Sequence, residues 1–94
     1  MPDTKAVRVR IHGQVQGVFF RVWTKEQADR LGVMGWVRNR LDGDVEALFA
    51  GPEAAVNQLI DVCREGPAHA MIDDVKVEDA QGITSASFEI KPTV

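Results

Sequence analysis

Between Gly13 and Arg21 the hydrophobic spacing of the chain changes period, and few folds accommodate what lies on both sides of that change. Before it, Val7, Val9 and Ile11 alternate with Arg8, Arg10 and His12, a period of two that predicts a half-buried strand ending at Gly13. After it, Phe20, Thr24, Ala28 and Leu31 share one helical face, while Lys25, Glu26, Asp29 and Arg30 lie largely on the other. That pattern predicts a helix from about Arg21 to Leu31, stopped by Gly32. The connection, Gly13-Gln14-Val15-Gln16-Gly17-Val18-Phe19-Phe20-Arg21, carries two glycines, whose backbone can take positive φ and approach a ligand closely. The first amides of a helix have no partner within it, and an arginine beside them adds a fork of donors suited to phosphate or carboxylate oxygens. The stretch reads as an anion site, or else as a tight turn bearing a solvated arginine.

The remaining elements follow from similar signals. Met34 to Arg40, with Trp36 and Val37, reads as a second strand, and Val45 to Ala50 as a third. The intervening Leu41-Asp42-Gly43-Asp44 is a hairpin turn. Gly51-Pro52-Glu53 opens a second helix, with proline expected at its first position and an acid in its first turn. Val56, Leu59, Ile60 and Cys63 follow helical spacing, and Gly66-Pro67 ends the run. Ile72 to Glu78 reads as a fourth strand, Asp79 to Ser85 as a loop, and Ala86 to Lys91 as a short last strand with Phe88 and Ile90 facing the core.

The order β-α-β-β-α-β plus a short C-terminal strand predicts an α+β fold, a ferredoxin-like α/β sandwich with an antiparallel sheet and two helices on one face. Residues 1–6 are expected to form an N-terminal tail and residues 7–91 a single domain. In such a fold strands one and two run parallel with strand three between them. Their C-terminal ends then emerge on one sheet edge, two strand spacings or roughly 10 Å apart. The loop ending at Arg21 and the strand ending near Asn39 become neighbours.

Composition narrows the function. At 94 residues, 45% hydrophobic and 27% charged, the chain suits one folded core. No uncharged apolar run approaches the roughly 18 residues of a membrane span, and the N-terminus lacks a signal-peptide segment, so a cytoplasmic protein without membrane association is expected. Cys63 is the sole cysteine and there are two histidines, His12 and His69, so neither a disulfide nor a metal site nor any other cofactor is expected. The net charge of −3 conceals an asymmetry: residues 1–40 hold eight Lys/Arg against three Asp/Glu, and residues 41–94 hold three against eleven. A basic site within an acidic protein is thus possible, unless folding mixes the halves.

Asn39 can donate and accept, so beside an anion cradle it can hold and aim a water; alone, it reads sooner as a turn residue before Asp42-Gly43, and its place beside Arg21 across the sheet edge brings the two readings level. Glu46, Asp42 and Asp44 have the chemistry of general bases, but their hairpin position favours solvated turn and strand roles. His12 reads as an exposed strand residue. No nucleophile elbow, catalytic triad order or P-loop occurs.

The segments Gly13-Gln-Val-Gln-Gly-Val-Phe-Phe-Arg21 and Gly35-Trp-Val-Arg-Asn39-Arg-Leu-Asp-Gly43-Asp-Val-Glu46 closely resemble the two signature motifs of the acylphosphatase family, at that family's separation. The resemblance extends over the element order from about Val7 to Ile90. It implies a ferredoxin-like enzyme that hydrolyses carboxyl-phosphate anhydrides to carboxylate and phosphate without a metal. It also implies catalytic roles for Arg21, as phosphate-binding arginine, and Asn39, as water-positioning asparagine. The phosphoryl oxygens would be cradled by the backbone amides of Gln14, Val15, Gln16, Gly17, Val18, Phe19 and Phe20. Between the second helix and strand four many members carry a basic residue, where this chain has Ala68-His69-Ala70-Met71. The implied partner is a small-molecule acyl phosphate, with no nucleic acid, and the expected state is a monomer. Two other classes share the fold: an RNA-recognition module, for which strand three offers one aromatic, Phe49, and an anion-sensing or docking domain without catalysis.

Overall fold

The computed structural model describes residues 3–17, 19–81 and 86–94. The elements are β1 (Thr4–Gln14), α1 (Phe20–Leu31), β2 (Met34–Asn39), β3 (Val45–Pro52), α2 (Glu53–Glu65), β4 (Met71–Asp79) and β5 (Phe88–Ile90). Strand order in the five-stranded sheet is β4-β1-β3-β2-β5. β1 and β2 both pair antiparallel with β3, so they run parallel to each other with β3 between, as the ferredoxin-like topology requires. β5 adds to β2 in parallel, which makes the sheet mixed where an antiparallel one was expected.

Alternation assigns the two sheet faces. Val7, Val9 and Ile11 of β1, Val37 of β2 and Val45, Ala47 and Phe49 of β3 are buried against the helices. From the helix side, Phe20, Thr24 and Ala28 of α1 and Val56, Leu59 and Cys63 of α2 close this core. Burial pushes the Cys63 thiol up to about 12, so it is a small core hydrophobe with no thiolate chemistry. Thr24, a polar residue in this apolar setting, is satisfied by donating from Oγ1 to the Phe20 carbonyl at 2.8 Å.

Several boundaries depart from the sequence reading. Thr4, Lys5 and Ala6, expected in a tail, pair with Pro52, Gly51 and Ala50, and the Asp3 carbonyl accepts the Glu53 amide at 3.0 Å. The unpaired edge of β3 continues past Ala50, and β1 extends to satisfy it. Pro52 is the cap of α2 and not its first residue, because its ψ of 135° is still that of a strand. Phe88 is buried against Phe49, with ring centroids 6.1 Å apart, but Ile90, expected beside it in the core, is 40% exposed. β5 lasts three residues, and its second inward position borders a cleft beside the start of α1. Of the loop expected over 79–85, Asp79 closes β4, and residues 82–85 lie outside the described residues.

Candidate active site

The core runs out at one end of the sheet, where a largely apolar cleft admits two polar side chains, Arg21 and Asn39. Asn39 is two residues beyond Val37 and therefore on the same, helix-facing side of β2, at the strand's last position. Its backbone is held on both sides: it lies opposite Val45 of β3, and its carbonyl accepts the Val94 amide at 3.2 Å. α1 begins over the same end. Phe20, its first residue, is 2% exposed and stacks at a tilt on Trp23, with centroids 5.4 Å apart. Burying such a ring contributes about 1.5–3 kcal/mol and fixes where Arg21, the next residue, stands.

Preceding Phe20, the chain makes a sharp reversal. Phe19 has φ 59°, a left-handed conformation that costs a non-glycine residue roughly 1–2 kcal/mol, and its side chain is 82% exposed. Neither a side-chain cap nor an acidic residue serves the first turn of α1, whereas α2 carries Glu53 at the equivalent place. The opening amides of α1 are thus left for an external acceptor. The two loop glycines have separate causes. A Cβ at Gly13 would lie 2.0 Å from the Met71 carbonyl oxygen, so the close approach of β4, at the register shift after His12, demands glycine there. At Gly17, φ is 76° and a Cβ would meet nothing within 4 Å, so this glycine serves the turn and borders open space.

Val15, Gly17, Phe19, Phe20, Arg21 and Asn39 line a single cleft of about 390 Å³, with Val22 and Ile90 completing its wall. The topology therefore brings the arginine and the asparagine together as the sheet order required. Two of the loop residues stand apart: Gln14 ends β1 opposite Met71, and the Gln16 side chain turns to the β2–β3 hairpin. Val18 lies outside the described residues. Nothing in the local pattern distinguished Val22 and Ile90 from ordinary helix-surface and core positions.

Charge distribution in the cleft is unusual for this chain. On the opposite sheet face, Arg10 pairs with Asp42 and, at 2.9 Å, with Asp44, while Arg38 and Arg40 reach Glu46 at 2.7 and 3.5 Å. Folding thus mixes the basic and acidic halves on that face. Glu46, expected to be a solvated strand residue, is 8% exposed beneath these arginines, with its Oε1 accepting from Arg38 Nε at 2.8 Å. Among the described residues no carboxylate lies within ion-pair reach of Arg21, which keeps its charge available to the cleft. The Asn39 Oδ1 is buried with no hydrogen-bond partner among the described residues. An unmatched acceptor of this kind costs about 1–3 kcal/mol.

A model of the acylphosphatase family matches residues 7–90. The chain is 50% identical over 93 residues to an acylphosphatase of Rhizorhabdus wittichii, covering 99% of this chain and 94% of that one. The chain belongs to the acylphosphatase family. With membership goes the enzyme class that the two motifs implied, a hydrolase. An acylphosphatase of Rhodospirillum rubrum is 51% identical over 90 residues, 96% of this chain and 99% of its own length. The structure of an acylphosphatase from Coxiella burnetii superposes with a TM-score of 0.91 at 31% identity, covering 95% of this chain and 94% of that one. No helix among the described residues is long and apolar enough to cross a membrane.

Outside the cleft, His12 Nδ1 lies 2.7 Å from Asp44 Oδ1. The Asp44 hydrogen bond, with the charge of Asp44 behind it and smaller contributions from Asp73 and Asp42, raises the His12 pKa above the ordinary 6.5. A raised folded-state value means that this stabilisation is complete below about 6.5 and is lost as pH rises through the folded pKa. Asp44→Asn should therefore return the His12 titration toward its ordinary position, read by NMR of the imidazole protons. An unshifted midpoint would contradict the pairing.

Proposed function

We propose that this acylphosphatase-family chain hydrolyses small acyl phosphates to carboxylate and inorganic phosphate, without a metal, by in-line attack of water on phosphorus. The observation that carries the reading is the shared cleft, which is lined both by Arg21, without an ion-pair partner among the described residues, and by Asn39. Arg21 and the loop amides up to Phe20 hold the three equatorial phosphoryl oxygens. The Asn39 side-chain amide holds a water by hydrogen bonding and aims its lone pair at phosphorus. As the new P–O bond forms, the bond to the acyl oxygen breaks and its electron pair leaves on the carboxylate.

So sparse a site suffices for this bond. A carboxylate departs without general-acid help, and phosphoryl transfer through a loose transition state asks mainly for positioning and charge stabilisation. Phosphoryl charge takes the place of a dedicated base: Glu46 and Asp44 are bound to arginines and His12, and none of them lines the cleft. The protein is read as a cytoplasmic monomer acting on a small molecule. Phe49, the aromatic that strand three offers for base stacking, is buried among helix contacts, so the RNA-recognition reading gains nothing from it.

Phosphate release from benzoyl phosphate, measured with and without a chelator, tests the proposal. Turnover should exceed the spontaneous rate and persist in chelator. A rate no faster than spontaneous hydrolysis would favour an anion-sensing domain and sink the hydrolase reading.

A further inference from the structure

We propose that the side-chain amide of Gln16 is a brace that sets the spacing between the phosphoryl cradle and Asn39, making Gln16 a positioning residue. The inference rests on the hydrolase reading above. Gln16 Nε2 donates to the Arg40 carbonyl at 2.8 Å and to the Asp44 carbonyl at 2.9 Å, which uses both of its protons. Arg40 is the residue after Asn39. The two carbonyls belong to the mouth of the β2–β3 hairpin, where the Arg40 amide donates to Asp44 O at 2.8 Å and the Gly43 amide to Arg40 O at 3.1 Å. One side chain of the anion loop is therefore inserted into the hairpin's own pairing, one residue from the proposed water holder.

The far end of the brace is fixed independently. The Asp44 carboxylate accepts from Arg10 Nε at 2.9 Å and meets His12 Nδ1 at 2.7 Å, both on β1, while the Asp44 amide donates to Asp42 Oδ1 at 3.0 Å. β1 leads directly into the loop that carries Gln16. Loop, hairpin and strand are thus joined by a continuous run of hydrogen bonds that passes one residue from Asn39. Gln16 itself is exposed, so the run is not a by-product of core packing. Its consequence is geometric: in-line attack needs water and phosphorus at near-attack separation, and a displacement of about 1 Å can cost roughly a hundredfold in rate.

Gln16→Met keeps the side-chain length and the backbone amide but removes both donors. With benzoyl phosphate its kcat should fall at least tenfold, while the inhibition constant of inorganic phosphate stays within about twofold and Tm is unchanged. Gln16→Glu should be still slower at neutral pH, where a carboxylate faces two carbonyl oxygens. It should recover relative to wild type as acid protonates it and restores one donor; Gln16→Met should show no such recovery. A Gln16→Met enzyme with wild-type kcat, or one losing phosphate affinity and Tm in step with rate, overturns the brace. Should Gln16→Met not fold, a Gln16→Glu enzyme whose ratio to wild type is flat with pH overturns it equally. Active wild type with an equally active variant refutes this proposal alone, whereas an inactive wild type refutes the hydrolase reading and the brace with it.

Discussion

Arg21→Gln should lower kcat/KM for benzoyl phosphate by about a thousandfold and weaken binding of inorganic phosphate by roughly ten- to a hundredfold. The two figures differ because the arginine acts twice. Charge-assisted hydrogen bonds to a bound phosphate contribute about 1.5–3 kcal/mol, which sets the loss of affinity. In a loose transition state the same fork also stabilises charge gathering on the equatorial oxygens, and that part appears only in the rate. Glutamine keeps a donor only as far out as the guanidinium Nε, and has neither the charge nor the bidentate geometry. Folding should be little affected, since Phe20 and not Arg21 anchors the start of α1. Phosphate affinity that survives the substitution would place the anion elsewhere.

Asn39→Ala should separate the two functions of the cleft. We expect kcat to fall about a hundredfold or more, with phosphate binding unchanged, because the cradle and Arg21 remain and only the orientation of the water is lost. Stability should hold or rise. The buried Asn39 Oδ1 has no partner among the described residues, so removing it relieves a desolvation cost that the folded chain otherwise bears. That combination, lower rate with undiminished Tm, is the signature of a residue kept for chemistry at the expense of folding. Near-normal kcat in Asn39→Ala would remove the asparagine from the mechanism. A fall in phosphate affinity would instead make it part of the clamp.

The meeting of these two residues was legible in the sequence, and for a topological reason. A switch from period two to helical spacing across residues 13–21, followed by a hairpin at Asp42-Gly43, leaves β1 and β2 parallel with β3 between them. Both strand ends then reach the same edge whatever the details of packing. Local pattern could not supply what depends on distant partners. The parallel addition of β5 to β2 rests on three residues with no turn signal to announce it, and it carries Ile90 out of the core and into the cleft wall. The burial of Glu46 arises from Arg38 and Arg40, which reach it across a strand pair from positions that alternate like any solvated row. Gly13 has the look of a ligand-approach glycine, but the demand comes from the Met71 carbonyl of β4. The Gln16 brace is invisible for a related reason: its acceptors are backbone carbonyls, whose placement is set by the hairpin's twist and not by residue type.

The roles proposed for Arg21 and Asn39 require that water attack phosphorus and not the acyl carbon. Hydrolysis of benzoyl phosphate in water enriched in heavy oxygen, followed by mass spectrometry of both products, decides between them. Label in the inorganic phosphate, with benzoate unlabelled, is the predicted result; label in the benzoate would mean attack at the carbonyl carbon and would contradict the roles given to Arg21 and Asn39.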